Sequence, residues 1–142
     1  LSPAPLHDLY GEGLINALVS ELFDVRRDVH SRSSKLSPWQ LRRVTDFIED
    51  NYHRIIRLQE LASLAELSES YFCSAFKAST GISPLAWQMK RRIVRAQVFL
   101  LQPRASLPHI ATITGFSDQA HFTRVFKKLT GTTPAAWLRL QA

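Results

Sequence analysis

An all-α fold made of two related helical units is the fold class that this sequence predicts, and three observations carry the prediction. No stretch alternates apolar and polar residues over the length of a strand, and apolar residues recur at helical spacing instead. Ser37-Pro38 and Ser83-Pro84 have the N-cap and first-turn residues typical of helix starts. The last two-thirds of the chain also repeats itself about 50 residues apart, so that Phe72 matches Phe122. This repeat indicates one structural unit that is used twice.

The first 36 residues differ from the rest in charge. Apolar side chains recur at helical spacing over residues 12–29, which predicts an amphipathic helix, and the polar residues 31–35 indicate a linker. Residues 1–36 carry a net charge of −1, whereas residues 37–142 carry +7. We expect residues 1–36 to be the tail of an absent regulatory or dimerisation domain. A second interpretation is that the helix docks on its own chain.

The helices of residues 37–142 follow from caps, breakers and apolar spacing. Gly81 and Gly131 each end a helix, and Pro103 ends the long helix between the two copies of the repeat. The predicted elements are a helix over about 37–53, a first helix-turn-helix over about 58–80, a long linker helix over about 84–102, a second helix-turn-helix over about 107–130, and a final short helix from Pro134 through Trp137, about seven helices in all.

Each copy of the repeat has the form of a helix-turn-helix motif, in which a short helix and a tight turn hold a second helix at the surface. An α-helix about 10–12 Å across fits the major groove of B-DNA, which is about 12 Å wide. The second helix of each copy has an apolar side to bury and a polar side to offer. The residues expected on the buried sides are Phe72, Ala75, Phe76 and Ser79 in the first copy and Phe122, Val125, Phe126 and Leu129 in the second.

Composition excludes several classes of function. The net charge of +6 favours an acidic partner. Cys73 is the one cysteine, so we expect no internal disulfide, no zinc cluster, no paired nucleophile, and a reducing, cytoplasmic location. No apolar run reaches the roughly 18 residues that cross a bilayer. We therefore expect a protein that is not an enzyme, has no cofactor or metal site, and does not contact a membrane.

A basic cluster lies on the predicted linker helix and consists of Lys90, Arg91, Arg92 and Arg95. Its expected role is a solvated face with one or two structural ion pairs. Phosphate contact and a membrane-surface helix are the alternatives.

The second copy of the repeat resembles the DNA-binding domain of the AraC/XylS family of bacterial transcription regulators. The resemblance covers roughly residues 38–140 and is far more specific than a lone helix-turn-helix match. It implies sequence-specific binding of double-stranded DNA, by an activator in most members, with two recognition helices in successive major grooves about 34 Å apart. The residues that carry it are Gly115-Phe116-Ser117-Asp118-Gln119, His121-Phe122, Arg124-Val125-Phe126-Lys127-Lys128, Thr130-Gly131, Thr133-Pro134 and Trp137.

The resemblance also implies roles for individual residues. Arg124 suits a bidentate contact with guanine, whereas Ser74, its counterpart in the first copy, is too short for one. The second copy should therefore discriminate sequences more strongly than the first. The residues expected at bases are Gln119, Ala120, His121 and Arg124 in the second copy and Ser70, Cys73 and Ser74 in the first, and those expected at phosphates are Lys77, Lys127, Lys128, Thr123 and Tyr71.

The implied partners are double-stranded DNA, RNA polymerase, and a second copy of the protein that is bound through the absent N-terminal domain. An alternative function class stays open at this point: a helical module that binds another protein and whose basic charge is incidental. Salt dependence of DNA binding separates the two, because only contacts to phosphates release counterions.

Overall fold

The computed structural model describes residues 34–142, and this part of the chain folds into seven helices without a strand. The all-α prediction is confirmed for these residues, and the predicted helices lie where the caps and breakers indicated. The last helix is longer than expected, since it continues past Trp137. The helix predicted over residues 12–29 lies outside the described residues. The observed helices are α1 (Pro38–Asn51), α2 (Leu58–Leu64), α3 (Glu69–Thr80), α4 (Pro84–Leu100), α5 (Leu107–Ile113), α6 (Gln119–Thr130) and α7 (Pro134–Gln141).

The two helix-turn-helix units, α2–α3 and α5–α6, have the same local construction. In each turn the residue that follows the helix C-cap has a positive φ, 59° at Glu66 and 95° at Gly115. The next backbone N–H then donates back to the preceding helix, from Leu67 to the Ala62 carbonyl at 3.0 Å and from Phe116 to the corresponding carbonyl at 2.9 Å. The repeat in the sequence is therefore a repeat of backbone conformation.

Short polar side chains begin six of the seven described helices, all but α2, and glycines end the second helix of each unit, α3 and α6. Gly81 and Gly131 have φ of 85° and 87°, a left-handed conformation that stops a helix at little cost in a residue without Cβ. The side chains that accept a hydrogen bond from a first-turn backbone N–H are those of Ser37, Ser68, Ser83, Ser106, Asp118 and Thr133.

Each unit has its own hydrophobic core, and α4 contributes to both. Trp87 of α4 meets Phe76 edge-on with 5.8 Å between ring centroids, and Trp137 of α7 meets Phe126 in the same way at 6.0 Å. The first core includes Val44, Ile48, Leu61, Phe72 and Phe76, and the second includes Met89, Ile93, Leu100, Ile110, Phe116, Phe122 and Phe126.

Two side chains differ from their predicted environments. Leu129 was expected on the buried side of α6 but is 41% exposed, because the second core ends one turn earlier, at Phe126. Leu36 was expected at the end of a linker, but it is buried in the first core, and its N–H donates to Ser79 Oγ at 2.8 Å. The folded domain therefore includes at least Leu36.

The basic cluster on α4 is used mostly inside the protein. Arg91 Nε and Arg95 Nε donate to the two carboxylate oxygens of Glu49 on α1, at 2.7 and 2.8 Å. The hydrogen bond from Arg91, together with that from Arg95, holds the pKa of Glu49 below its usual value. Arg92 is buried, and Lys90 is exposed. The prediction of structural ion pairs is confirmed for two of the four residues.

Candidate nucleic-acid interface

The start of α6 is fixed by a side chain in the turn before it. Asp118 Oδ1 accepts a hydrogen bond from the backbone N–H of His121 at 2.7 Å. Asp118 thus takes the place that Ser68 has before α3, because the second turn contains one more residue than the first. This cap orients the first turn of α6, from which Gln119 and Ala120 project.

The outer side of α6 is exposed and positively charged. Gln119 and Ala120 are exposed in the first turn, Arg124 is exposed one turn later, and Thr123 beside it is half-buried. Lys127, in the last turn, is also exposed, as is its neighbour Lys128. On the opposite side, Phe122 and Phe126 are fully buried and anchor the helix. The helix therefore presents polar and cationic side chains outward on a rigid apolar base.

The prediction that His121 faces bases is wrong. Its side chain is only 3% exposed, and its ring meets Phe116 of the preceding turn with 5.2 Å between centroids. Nδ1 lies 3.4 Å from Ser117 Oγ, and Nε2 has no hydrogen-bond partner in the described part of the chain. Burial, followed by the charge of Arg124, lowers the pKa of His121, so the ring is neutral at neutral pH. His121 belongs to the packing between turn and helix.

The side chains on the outer side of α3 are shorter and less exposed than those on the outer side of α6. Ser70, Cys73 and Ser74, the residues expected at bases, are all half-buried. Tyr71, expected at a phosphate, is half-buried and packs against the first core, whereas Lys77 is exposed. The outer side of α3 therefore carries one long cationic side chain.

Cys73 has the chemistry of a structural thiol. Burial, with a contribution from the nearby carboxylate of Glu69, raises its pKa to about 11. The thiol is therefore protonated at neutral pH and is a weak nucleophile. This state fits contact with a neighbouring surface better than it fits redox or nucleophilic chemistry.

Glu69 is a candidate site residue that the sequence analysis missed. It is the first residue of α3, is exposed, and holds the place that Gln119 holds in α6. Its carboxylate helps to raise the pKa of Cys73, one turn away, so Glu69 lies beside the outer side of the helix. The repeat in the sequence indicates this residue, because Glu69 and Gln119 lie 50 positions apart, as do the other equivalent residues of the two helices.

The two recognition helices therefore differ in charge as well as in side-chain length. The outer side of α6 carries Arg124, Lys127 and Lys128, whereas that of α3 carries Lys77 and the opposing charge of Glu69.

In residues 34–142 there is no group of histidine, cysteine, aspartate and glutamate side chains that could hold a metal ion. Among the same residues, no helix is both long and apolar enough to cross a membrane.

Solved structures share this architecture. A probable AraC family transcriptional regulator from Rhodopseudomonas palustris CGA009 is 30% identical, with a TM-score of 0.62 over 70% of this chain and 94% of that one. The DNA-binding domain of AdpA, a global transcriptional factor solved in complex with a target DNA, is 27% identical, with a TM-score of 0.64 over 70% of this chain and 90% of that one.

Sequence relatives are transcriptional regulators that are much longer than this chain. The probable transcriptional regulator LumQ of Photobacterium leiognathi is 30% identical over 94 residues, which are 66% of this chain and 38% of that protein. An uncharacterized HTH-type transcriptional regulator of Staphylococcus aureus is 32% identical over 121 residues, which are 85% of this chain and 16% of that protein. The chain thus matches less than half the length of either relative.

A pair of helix-turn-helix units with outward-facing recognition helices defines a DNA-binding protein, and a family model described as a helix-turn-helix domain matches residues 61–140. The match covers more than half of the chain. The chain belongs to the AraC-type helix-turn-helix family of DNA-binding transcription regulators.

Proposed function

We propose that this chain recognises one double-stranded DNA sequence, with α3 and α6 in successive major grooves of the same duplex. The observation that carries the proposal is the outer side of α6, where Gln119 and Arg124 are exposed on a helix anchored by buried phenylalanines. Further support comes from the likeness to a domain that was solved on its target DNA. The two helices contact different bases, because their outer sides differ in charge and in the length of their side chains.

Bases are read mainly by α6. Arg124 donates to O6 and N7 of a guanine, Gln119 contacts an adenine, and Ala120 packs on a thymine methyl group. In α3 the contacts come from Ser70, Cys73 and Ser74. These side chains are half-buried and too short to form a bidentate contact, so they add less discrimination.

Phosphates are met by the cationic and hydroxyl side chains near the two helices. Lys127 and Lys128 contact DNA phosphates beside the major groove that α6 occupies, with Thr123 nearby. Lys77 and the hydroxyl of Tyr71 contact phosphates beside the groove that α3 occupies. These contacts set the register of the domain on the duplex and make its affinity depend on salt.

The whole protein acts as a transcription activator in the cytoplasm, in our proposal, and contacts RNA polymerase. Regulation and homodimer formation belong to a domain upstream of the DNA-binding part. The greater length of the relatives, of which this chain matches 38% and 16%, supports such a division. The family supports a role in DNA binding rather than catalysis.

In-vitro selection of duplex sequences, followed by titration at two salt concentrations, tests the proposal. We expect one preferred duplex and a log–log salt slope of about −0.9 for each phosphate contacted. Salt-insensitive binding, or equal affinity for selected and scrambled duplexes, would contradict sequence-specific recognition. Salt-insensitive binding to a protein partner alone would favour a protein-binding module.

Variants of the selected complex assign the base contact. Arg124→Ala should cost about 1–3 kcal/mol on the selected duplex and relax the preference at one base pair. Arg139→Ala is the matched control, because it removes the same charge from an exposed position on α7. Ser74→Ala, the equivalent position in α3, should cost much less. A uniform loss on every sequence with Arg124→Ala would show a phosphate contact instead.

A further inference from the structure

One buried arginine connects the segment before the first helix-turn-helix unit to the turn of the second unit. Arg92 of α4 is 3% exposed, and its guanidinium donates to three backbone carbonyls. Nε donates to Tyr52 at 2.6 Å and Nη2 to Arg54 at 3.0 Å, in the segment that follows α1. Nη1 donates to Gly115 at 3.0 Å, in the turn between α5 and α6. A single side chain therefore binds the segment between α1 and α2, on which the first unit begins, and the turn of the second unit at once.

Neighbouring residues add further contacts around Arg92, and the place where these contacts meet is called the joint below. Gln88, one turn before Arg92, is also buried, and its Nε2 donates to the carbonyls of Tyr52 and Arg54 at 3.1 and 2.7 Å. On the other side, a Cβ added to Gly115 would lie 2.5 Å from the carbonyl oxygen of His53. The second turn thus lies against the backbone of the segment between α1 and α2, with no room for a side chain.

The chemistry of Arg92 suits a joint of fixed geometry. Burial lowers its pKa to about 10, so the guanidinium still carries its charge at neutral pH. Its hydrogen-bond partners are carbonyl oxygens, which compensate for the lost hydration. The guanidinium is planar and its N–H directions are fixed, so the three oxygens are held at set positions around one plane. A lysine ammonium has no such fixed fork.

We propose that Arg92 is a positioning residue, which holds α3 and α6 in one relative orientation and so restricts the domain to DNA half-sites at one separation. This inference rests on the proposed function, because it needs both helices to bind one duplex. One added base pair moves a half-site by about 3.4 Å and turns it by about 35° around the helix axis. If α3 and α6 cannot rotate relative to each other, they cannot both reach half-sites that are displaced in this way.

The first test uses the wild-type chain and three duplexes: the selected site, and versions with one base pair inserted or removed between the half-sites. We expect the affinity to fall by about tenfold or more on both altered duplexes, comparable to a mismatched base pair. Equal affinity for the three duplexes would overturn the inference without any variant. If the chain prefers no duplex over scrambled competitor, the proposed function fails instead.

The second test compares Arg92→Met with Lys90→Met, which removes the same charge from an exposed position on the same helix. Arg92→Met should weaken binding to the selected duplex and reduce the preference for its spacing to about threefold or less, because both units can then reorient. Lys90→Met should keep the wild-type preference. If Arg92→Met does not fold, as judged by circular dichroism, Arg92→Lys replaces it, since it keeps the charge without the fork.

Two results would count against Arg92 as the positioning residue. One is a folded Arg92 variant that keeps the wild-type preference for spacing. The other is a salt slope that becomes smaller by about 0.9 in Arg92→Met, because this change would show a direct phosphate contact. Loss of affinity by the same factor on all three duplexes is an instance of the first result, since it would show a structural role without an effect on spacing.

Discussion

Replacing Gly115 by alanine tests whether the second turn lies against the segment between α1 and α2 as closely as the structure shows. The residue has a φ of 95°, and a Cβ added there would lie 2.5 Å from the His53 carbonyl oxygen and 3.0 Å from Arg92 Cζ. The nearest atom belongs to the backbone, so it cannot rotate away as a flexible side chain would. Gly131 is the matched control, because it has a φ of 87° and no atom within 4 Å of the added Cβ.

The expected magnitudes follow from these two environments. Gly131→Ala has only the left-handed backbone strain, so its free energy of unfolding should fall by about 1 kcal/mol. Gly115→Ala has the same strain and also forces the His53 backbone to move, which adds about 1–3 kcal/mol by analogy with overpacked cores. The total for Gly115→Ala is therefore roughly 2–4 kcal/mol.

Urea unfolding, followed by far-ultraviolet circular dichroism, measures both variants against the wild-type chain. Equal slopes of free energy against urea would show that the same surface unfolds in each protein. If the losses for Gly115→Ala and Gly131→Ala agree within about 0.5 kcal/mol, the close approach to His53 does not exist in solution. A loss for Gly115→Ala that exceeds the loss for Gly131→Ala by about 1–3 kcal/mol would instead locate the extra effect at the contact with His53.

Two further predictions concern the recognition helices. Glu69→Gln should shift the preference at one base pair contacted by α3 from cytosine towards adenine, because a carboxylate accepts from the cytosine amino group whereas an amide pairs with adenine. Selection with both proteins checks this, and unchanged preferences would exclude Glu69 from readout. The pKa of His121 is lowered by burial and by Arg124 and Arg92, against an opposite effect of Asp118. The unfolded chain therefore takes up a proton at higher pH than the folded one, and stability that is complete above about pH 6.5 falls as the pH drops below it. Urea midpoints from about pH 7 to about pH 5.5 should fall less in His121→Leu than in the wild-type chain, and equal falls would refute the assignment to His121.

The local construction of the domain could be predicted from the sequence, because the signals are local. Ser37 and Ser83 are followed by prolines, Gly81 and Gly131 end helices, and the repeat fixes the equivalence of the two units. Each of these features acts on backbone groups within a few residues of itself. The all-α class, the order of the helices and the helix-turn-helix form therefore followed without the tertiary structure.

The environment of individual side chains was predicted less well, because a helical wheel does not show which neighbours cover a helix. His121 lies at the edge of the outer side of α6 on a wheel, but Phe116 of the preceding turn covers it. Leu129 lies on the apolar side, but the core ends before it. Glu69 lies at the position that Gln119 holds in the repeat, but it carries a negative charge there.

The sequence by itself determined that two copies of one helix-turn-helix unit flank a long helix, because caps, breakers and apolar periodicity act over short distances. Only the tertiary structure decided that Arg92 is buried between the units and that Gly115 touches the His53 backbone. The hydrogen bonds of Arg92 to Tyr52 and Gly115 join residues 40 and 23 positions apart in the chain, and Gly115 lies farther still from His53 along it. Arg91 and Arg95 of the same helix pair with Glu49 instead. Their roles differ because the packing of α1 and of the second turn around α4 gives each guanidinium a different set of oxygen atoms.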